Sequence, residues 1–364
     1  MQETISYQWR DFTEWWQREP GDRRLAWIVA LLVLAAGLTP VGTEASGRFS
    51  SLFVFGDSLV DTRNTFLATQ GRPEGPVPVS PPYFEGRFSN GVVGSEGLAA
   101  QLGLMAEPSL RGGTNYAFGG SRTLRTGPPE LPGLLTQVDI FIAAHPSVDS
   151  DALHMLSAGS NDLRDLLLAG SESSEQTQAS VQTIVGHIIE AIERLAGHQG
   201  ATFLVLNVPD LGRTPESQAA GFQEAATALV MSFNQVLESA LTTLEAELDI
   251  RIVRLDAFGL VRRIAARPKR FGLTNVINAC LTLETSPFLG NPLDGGTPCE
   301  NPDEHLFWDF IHPSAAAHHV LATASRQVLF CDANDDGLVT LKDALAVLRS
   351  LRTDEELPGQ AACN

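Results

Sequence analysis

The chain has 364 residues, of which 43% are hydrophobic and 19% charged, a composition typical of a globular protein with one large domain or two unequal ones. Its formal net charge of −18 at pH 7 leaves no basic footprint for DNA or RNA. We therefore expect no nucleic-acid partner.

The first 45 residues are predicted to lie outside the folded domain. Arg23 and Arg24 precede an apolar run over 25–38, and a small-x-Ala pattern follows at 43–45. These features are typical of an export signal, and the run is shorter than the roughly 20 residues that span a bilayer. The sequence thus predicts an exported protein that is secreted, periplasmic or on the cell surface. The long segment before the run leaves an uncleaved membrane anchor as the alternative.

From residue 50 onward, short apolar runs alternate with longer segments of helical periodicity. This alternation predicts parallel strands with helices on both faces of the sheet, an α/β fold. Ligands of such sheets bind at the carboxyl ends of the strands, which is where Ser58 follows the first run. The runs predict strands at 52–55, 153–158, 202–208 and 250–255, and the periodic segments predict helices at 176–197 and 216–246.

Residues 71–88 are rich in proline and glycine, and we interpret them as a long ordered loop. The loop contains Tyr83, Phe84 and Phe88. These aromatic side chains either line a pocket for an acyl group or pin the loop to the core.

Ser58 needs a base, because a serine hydroxyl is a poor nucleophile until a neighbouring group removes its proton. Asp309 and His312 stand three residues apart just before Pro313. At that spacing a carboxylate can orient an imidazole and stabilise its charged form. The alternative is that Asp309 caps the helix predicted over 314–328, with Pro313 in its first turn and His312 filling a corner.

Two turns rich in glycine and asparagine offer donors for the oxyanion that forms during acyl transfer. They are NYAFGGSRT at 115–123 and SAGSNDL at 157–163, and the second follows a predicted strand directly. Each alone is also typical of an ordinary turn. The succession of serine, glycine turn, asparagine turn and acid–base pair along one chain favours a catalytic site.

Four short motifs resemble the blocks of the SGNH, or GDSL, hydrolase family: GDSL at 56–59, the glycines at 119–120, GSND at 159–162 and DFIHP at 309–313. The resemblance implies a three-layer α/β/α sandwich with a parallel, flavodoxin-like sheet over the predicted hydrolase domain, residues 50–329. The plant-type lipase branch is resembled in particular, through SPPYFEGRFSNG at 80–91, NVPDLGRTP at 207–215 and FWDFIHPSAAAH at 307–318.

The resemblance also implies a role for each of the catalytic residues. Ser58 becomes the nucleophile, His312 the general base and Asp309 its orienting partner. The activity implied is hydrolysis of a carboxylic ester of a lipid, an aryl alcohol or an acylated sugar, without a catalytic cofactor.

The oxyanion hole is implied by the same blocks. Its donors are the backbone N–H of Ser58, the side-chain amide of Asn161 and one glycine N–H. Block alignment favours Gly120 over Gly119 for the last of these. The GxSxG motif of another fold, the α/β hydrolases, is absent from the sequence.

All four cysteines lie in the last quarter of the chain. In an exported protein such cysteines favour disulfides over metal ligation. Three connectivities are possible. We predict Cys280 with Cys299 and Cys331 with Cys363, because each pair closes a local loop around a separate segment.

Residues 330–364 are predicted to form a small appended module with one calcium loop. Aspartate at position 12 of the loop, where EF-hands usually carry glutamate, makes the segment similar to a dockerin-type repeat. A full dockerin has two such loops and this chain has one, so we expect a Ca²⁺-stabilised tail, with binding to a cohesin-type partner as the alternative. The predicted ligands are Asp332, Asn334, Asp336, Leu338 through its carbonyl, Thr340 and Asp343.

Two other functions stay open on the sequence alone. The dockerin-like tail suggests a carbohydrate acetyl-esterase, and a non-catalytic module that binds a surface glycan or lipid is the second alternative.

Overall fold

The computed structural model describes residues 49–73, 75–170, 173–282 and 296–330. The predicted leader, the predicted calcium ligands and the predicted Cys331–Cys363 pair lie outside these ranges. Within them, no helix is both long and apolar enough to cross a membrane.

A parallel sheet forms the centre of the fold, with its strands adjacent in the order β1-β2-β3-β4. All four strand predictions are confirmed. Alternate side chains of the first strand enter opposite cores, with Phe53 and Phe55 on one side and Leu52 and Val54 on the other. A strand buried on both faces requires such a continuous apolar run. The strands are β1 (Ser51–Gly56), β2 (Ala152–Ser157), β3 (Thr202–Leu206) and β4 (Arg251–Leu255).

A further extended segment, residues 114–118, lies along the other edge of β1. The N–H of Val54 donates to the carbonyl of Thr114 at 3.1 Å, and the N–H of Tyr116 donates to the carbonyl of Val54 at 2.7 Å. This pairing is also parallel. Counted in chain order, the five extended segments are arranged 2-1-3-4-5, which is the order of flavodoxin-like sheets.

Helices cover both faces of the sheet and complete three layers. On the face of Phe53 and Phe55 the core continues into α3, α5 and α7, and on the opposite face into α2 and α9. The helices are α1 (Asn64–Thr69), α2 (Gly94–Gln101), α3 (Leu134–Ala144), α4 (Ser160–Ala169), α5 (Ser174–Gly197), α6 (Pro215–Ala220), α7 (Gln223–Glu247), α8 (Ala257–Ala266) and α9 (Ala315–Phe330). Short 3₁₀ turns lie at Ser109–Arg111, Leu211–Arg213, Pro268–Phe271 and Pro302–Glu304.

The helix predicted over 176–197 is confirmed as α5, but the single helix predicted over 216–246 is wrong. The chain forms α6 and α7 there, separated at Gly221. Gly221 has φ 73°, a left-handed conformation that glycine adopts without steric cost and that ends a helix.

Two small strand pairs precede α9. Strand β5 (Asn275–Ala279) pairs with β8 (His305–Phe307) in parallel, and β6 (Leu281–Thr282) pairs with β7 (Thr297–Pro298) in antiparallel fashion. A disulfide joins Cys280 to Cys299 beside these pairs, as predicted.

Candidate active site

Gly56 determines how the chain leaves β1. It pairs with Ser157 of the neighbouring strand, and a Cβ at Gly56 would lie 2.0 Å from the carbonyl oxygen of Ser157. Its φ of +145° is also one that side chains other than glycine's rarely adopt. The next residue, Asp57, donates its N–H to the same carbonyl at 3.2 Å, and the chain then turns. Ser58 therefore lies at the carboxyl end of the sheet, as predicted.

His312 joins Ser58 to Asp309. Its Nε2 lies 2.9 Å from Ser58 Oγ, and its Nδ1 lies 2.7 Å from Asp309 Oδ2. An ionised carboxylate only accepts hydrogen bonds, so Nδ1 carries the ring proton and Nε2 accepts the serine hydroxyl. All three residues are buried, with at most 7% of their surface exposed. The predicted serine, base and carboxylate are thus brought together from segments that lie far apart in the sequence.

The carboxylate of Asp309 also organises the backbone of its own turn. Oδ1 accepts the N–H groups of Ile311 at 2.9 Å and His312 at 2.7 Å. Burial alone would raise the pKa of Asp309, but the charge of His312 and the hydrogen bonds from His312 and Tyr83 outweigh it, and the pKa is held below its usual range. Asp309 is therefore ionised at neutral pH.

The helix that follows begins one residue later than predicted. Helix α9 starts at Ala315, and Ser314 caps it by accepting the N–H of Ala317 at 3.2 Å. Pro313 consequently precedes the helix and does not lie in its first turn. Capping by Ser314 frees Asp309 for His312, so the alternative in which Asp309 caps this helix is wrong.

The segment 80–91 stabilises the turn at 309–313 that carries Asp309 and His312, here called the acid–base turn. The sequence did not reveal this function. Tyr83 Oη donates to Asp309 Oδ2 at 2.6 Å, and Ser89 Oγ donates to the carbonyl of Pro313 at 2.9 Å. Asn90 Oδ1 accepts the N–H at the start of α9 at 2.7 Å. These three bonds hold the turn from residues more than 200 positions earlier in the chain.

The three aromatic residues of the loop have different surroundings. Phe88 lines the pocket beside Ser58, and its ring centroid lies 5.1 Å from that of His312. Tyr83 is buried against Asp309, whereas Phe84 is 38% exposed. The pocket-lining interpretation therefore holds for Phe88, and the pinning interpretation holds for Tyr83.

The glycine turn favours Gly120 as an oxyanion donor. The N–H of Gly119 is engaged, since it donates to Asp61 Oδ2 at 3.0 Å and to Thr65 Oγ1 at 2.6 Å. The N–H of Gly120 has no partner among the described residues, and Gly120 lines the pocket. Asp61 and Thr65 thus hold the N–H of Gly119, which fixes the turn so that the N–H of Gly120 can donate to a ligand.

Asn161 stands at the start of α4 and also lines the pocket. Its Nδ2 donates to the carbonyl of Ser121 at 3.0 Å. An amide nitrogen carries two hydrogens, so this bond orients the side chain and leaves one hydrogen for another acceptor. The N–H of Ser58 likewise has no partner within the part of the chain that the structure describes.

Two further buried polar residues form hydrogen bonds within the site. Gln137 on α3 bonds to Gly56, and its Nε2 lies 3.0 Å from Ser121 Oγ. Asp162, the last residue of the GSND motif, accepts the N–H of Thr123 at 3.1 Å and its hydroxyl at 2.8 Å. A glutamine on the mostly apolar helix LLTQVDIFIAA was the only sequence signal for Gln137.

A mostly apolar pocket of about 190 Å³ opens beside Ser58 and His312. Asp57 contributes a polar group to its wall, and burial raises the pKa of Asp57 to about 7 against the opposing effect of the bond from the N–H of Leu59. Arg164 and Asp210 are further charged residues of the wall, and Arg164 forms a two-pronged ion pair with buried Glu216. The apolar wall includes Phe88, Leu211, Val261, Phe307, Phe310 and Ile311.

A hydroxyl, an imidazole and a carboxylate in hydrogen-bonded succession are the arrangement that serine hydrolases use, here at the carboxyl edge of a parallel sheet. Residues 52–325 match the GDSL-like lipase/acylhydrolase family. This match covers more than half of the chain, which therefore belongs to that family. The family resemblance of the four sequence motifs is confirmed.

Several relatives align over most of the chain. It is 27% identical over 331 residues to the phosphatidylcholine-sterol acyltransferase of Aeromonas hydrophila, an alignment that covers 81% of this chain and 94% of that protein. It is 26% identical over 336 residues to a GDSL esterase/lipase of Arabidopsis thaliana, covering 82% and 92%. A solved carbohydrate acetylesterase from Sinorhizobium meliloti is similar over 56% of this chain and 83% of its own, with 17% identity and a TM-score of 0.34.

Proposed function

We propose that the protein is a carboxylic ester hydrolase in which Ser58 attacks the substrate. The observation that carries the proposal is the 2.9 Å contact between His312 Nε2 and Ser58 Oγ, on an imidazole whose other nitrogen is held by Asp309. Membership of the GDSL family supports the same reaction class.

In the first half of the reaction, Ser58 Oγ forms a bond to the ester carbonyl carbon while its proton passes to His312 Nε2. The carbonyl oxygen becomes an oxyanion. It accepts hydrogen bonds from the N–H groups of Ser58 and Gly120 and from the second amide hydrogen of Asn161. Collapse of this intermediate breaks the ester C–O bond, and the leaving alcohol takes the proton from His312.

In the second half, water replaces the alcohol. His312 Nε2 removes a proton from water, whose oxygen bonds to the acyl carbon on Ser58. The same donors hold the second oxyanion, and its collapse releases the carboxylic acid and returns the proton to Ser58 Oγ. Asp309 remains ionised throughout and stabilises the imidazolium in both halves.

The pocket favours substrates with an apolar acyl chain of limited length. Its volume of about 190 Å³ equals roughly six water molecules at about 30 Å³ each. An apolar wall of this size suits a butyryl or hexanoyl group better than an acetyl group, which would leave the apolar wall exposed to water. We therefore propose short to medium acyl esters as preferred substrates, ahead of acetylated sugars.

Transfer of the acyl group to an alcohol is the second candidate function. It is supported by the Aeromonas relative, whose name assigns it a sterol as acceptor. Hydrolysis and acyl transfer share the acyl-enzyme on Ser58. They differ in whether water or an alcohol then enters the pocket and attacks the acyl carbon. Product analysis with a long-chain alcohol added to the assay separates the acid from the new ester.

The first test is the initial rate on a series of p-nitrophenyl esters from acetate to palmitate. We expect a maximum at butyrate or hexanoate and loss of turnover in Ser58→Ala, with Ser174→Ala on the exposed start of α5 as the matched serine control. Ser58-dependent turnover confined to acetylated xylan would favour the carbohydrate acetyl-esterase. Binding of an ester without turnover in the folded protein would favour the non-catalytic module.

We also propose that the protein is exported and that its tail binds Ca²⁺. These proposals are supported by the apolar run at 25–38 and by the oxygen-bearing residues between 332 and 343. N-terminal sequencing of the exported protein, with a start near residue 46 expected, tests the first. Calorimetric Ca²⁺ titration of the full chain against its Asp336→Ala variant tests the second.

A further inference from the structure

The carboxylate of Asp309 accepts four hydrogen bonds, and one comes from a residue remote from the acid–base turn. Its Oδ1 accepts hydrogen bonds from two backbone N–H groups of the turn, those of Ile311 and His312. Its Oδ2 accepts His312 Nδ1 at 2.7 Å and Tyr83 Oη at 2.6 Å. The oxygen that faces the base is therefore shared between an imidazole and a phenol.

Tyr83 is held in place from several sides. Its backbone carbonyl accepts Ser80 Oγ at 2.7 Å, and its ring lies edge-on to that of Trp308, with centroids 6.2 Å apart. The side chain is 1% exposed. Burial and then the charge of Asp309 raise the pKa of Tyr83, so the phenol keeps its proton and can only donate to the carboxylate. A rigid donor of this kind restricts where Oδ2 can lie.

We propose that Tyr83 is a positioning residue of the hydrolase site, which fixes Asp309 Oδ2 against His312 Nδ1 and shares its negative charge. The proposal rests on the function proposed above. It assigns the loop at 71–88 a part in the chemistry without contact to the substrate, because neither Tyr83 nor Asp309 lines the pocket.

The removal of the phenol hydroxyl has two predicted effects on catalysis. The carboxylate of Asp309 loses one of its restraints. A smaller fraction of enzyme–substrate complexes then has Asp309 aligned with His312, so kcat falls. The charge on Oδ2 is no longer shared, so it stabilises the protonated form of His312 more strongly. The other titratable groups that act on His312, Asp57 and His318, are unchanged by the substitution. The acid limb of the pH–rate profile therefore moves to higher pH.

The test compares Tyr83→Phe with Tyr116→Phe. Tyr116 is also buried, and its hydroxyl bonds to His145 at 2.8 Å, so the control loses a comparable bond away from the acid–base turn. For Tyr83→Phe we expect kcat on p-nitrophenyl butyrate to fall about tenfold, with KM unchanged. We expect the acid limb of kcat/KM to rise by about half a pH unit. Tyr116→Phe should retain the wild-type kcat and profile.

A second measurement does not require turnover. The Nδ1 proton of His312 should give a downfield NMR resonance, and Tyr83→Phe should shift it, whereas Tyr116→Phe should leave it in place. An unchanged acid limb and an unchanged resonance in folded Tyr83→Phe would overturn the role of Tyr83, even if kcat falls. Absence of Ser58-dependent turnover in the wild type is a different failure, since it would overturn the proposed function, and the role of Tyr83 in catalysis with it.

Discussion

The side-chain amide of Gln137 bonds to both backbone groups of Gly56, accepting its N–H at 2.8 Å and donating to its carbonyl at 2.9 Å. The side chain of Gln137 on α3 thus forms hydrogen bonds at the end of β1 of the kind that a neighbouring strand forms elsewhere. Gly56 lies two residues before Ser58, so the position of Ser58 depends on a residue that does not line the pocket.

Replacement of Gln137 by leucine should destabilise the fold and the site together. It leaves the buried N–H of Gly56 without its partner, whereas the carbonyl keeps the bond from the N–H of Phe118 at 3.2 Å. An unsatisfied buried donor costs about 2 kcal/mol of unfolding free energy. Urea denaturation measures this loss, with Gln178→Leu on the exposed face of α5 as the matched control. Equal stability of the two variants would contradict a structural role for the two bonds to Gly56.

Asn161→Ala should fold normally and lose most of its turnover. Removal of one preorganised oxyanion donor lowers kcat on the order of a hundred- to a thousandfold. The bond from Asn161 to Ser121 is lost as well, so thermal unfolding should accompany the kinetic assay. Asn278→Ala, at an exposed position of β5, is the control. A folded Asn161→Ala with near-parent kcat would remove this amide from the mechanism.

Replacement of both Cys280 and Cys299 by serine should lower the stability of the region that supports Asp309. The bridge spans 19 positions and packs with Tyr83 and Trp308. A loop of that length predicts a loss of about 3 kcal/mol, chiefly because the unfolded chain regains freedom. Chemical denaturation measures it, and a Cys280→Ala/Cys299→Ala variant controls for the polarity of the new serines. Stabilities that match the wild type in the first variant would refute the prediction.

Stability should fall in acid because His154 is buried among aromatic rings. Its ring centroid lies 5.3 Å from that of Phe203, and burial lowers its pKa from 6.5 to about 4. Between pH 6.5 and pH 4, His154 therefore binds a proton more readily in the unfolded chain than in the folded protein. The free energy of unfolding decreases as the pH falls through this range. The full effect is about 3 kcal/mol.

His154→Phe should reduce this acid sensitivity, since it removes the titrating group and keeps an aromatic ring. Unfolding free energies at pH 7.5 and pH 4.5, the two chosen assay conditions, should differ less in the variant than in the wild type. The exposed His319→Phe is the control. The same pH dependence in all three proteins would exclude His154 as its source.

The apolar runs predicted the central sheet because β1, β2 and β3 are almost entirely buried and mostly apolar. Strand β4 is partly exposed and carries two arginines, but it kept enough apolar residues to be recognised. The segment at 114–118 escaped that analysis, since it has no continuous apolar run and its residues lead into the glycine turn. The break at Gly221 was missed for a different reason. The residues on both sides are good helix formers, and a single left-handed glycine is decisive only in the folded backbone.

The structure brings Ser58, Asp309 and His312 together. These residues could be proposed from the sequence because they are reactive groups next to recognisable turns. Gln137 and Tyr83 form their hydrogen bonds over 81 and 226 positions, and the sequence did not indicate these partners. Block alignment favoured Gly120 over Gly119, and the folded backbone supplies a physical reason, since the N–H of Gly119 is already engaged.

The contact between Ser58 and His312 joins positions that are 254 residues apart. On the proposed mechanism, the nucleophile emerges during synthesis long before its base, and Ser58 is unactivated until the turn before α9 docks on the sheet. Contacts of such separation form late, because the intervening loop must be closed first. We therefore expect the growing chain to be inert towards esters, and recovery of activity after refolding to report the last stage of folding, not the collapse that precedes it.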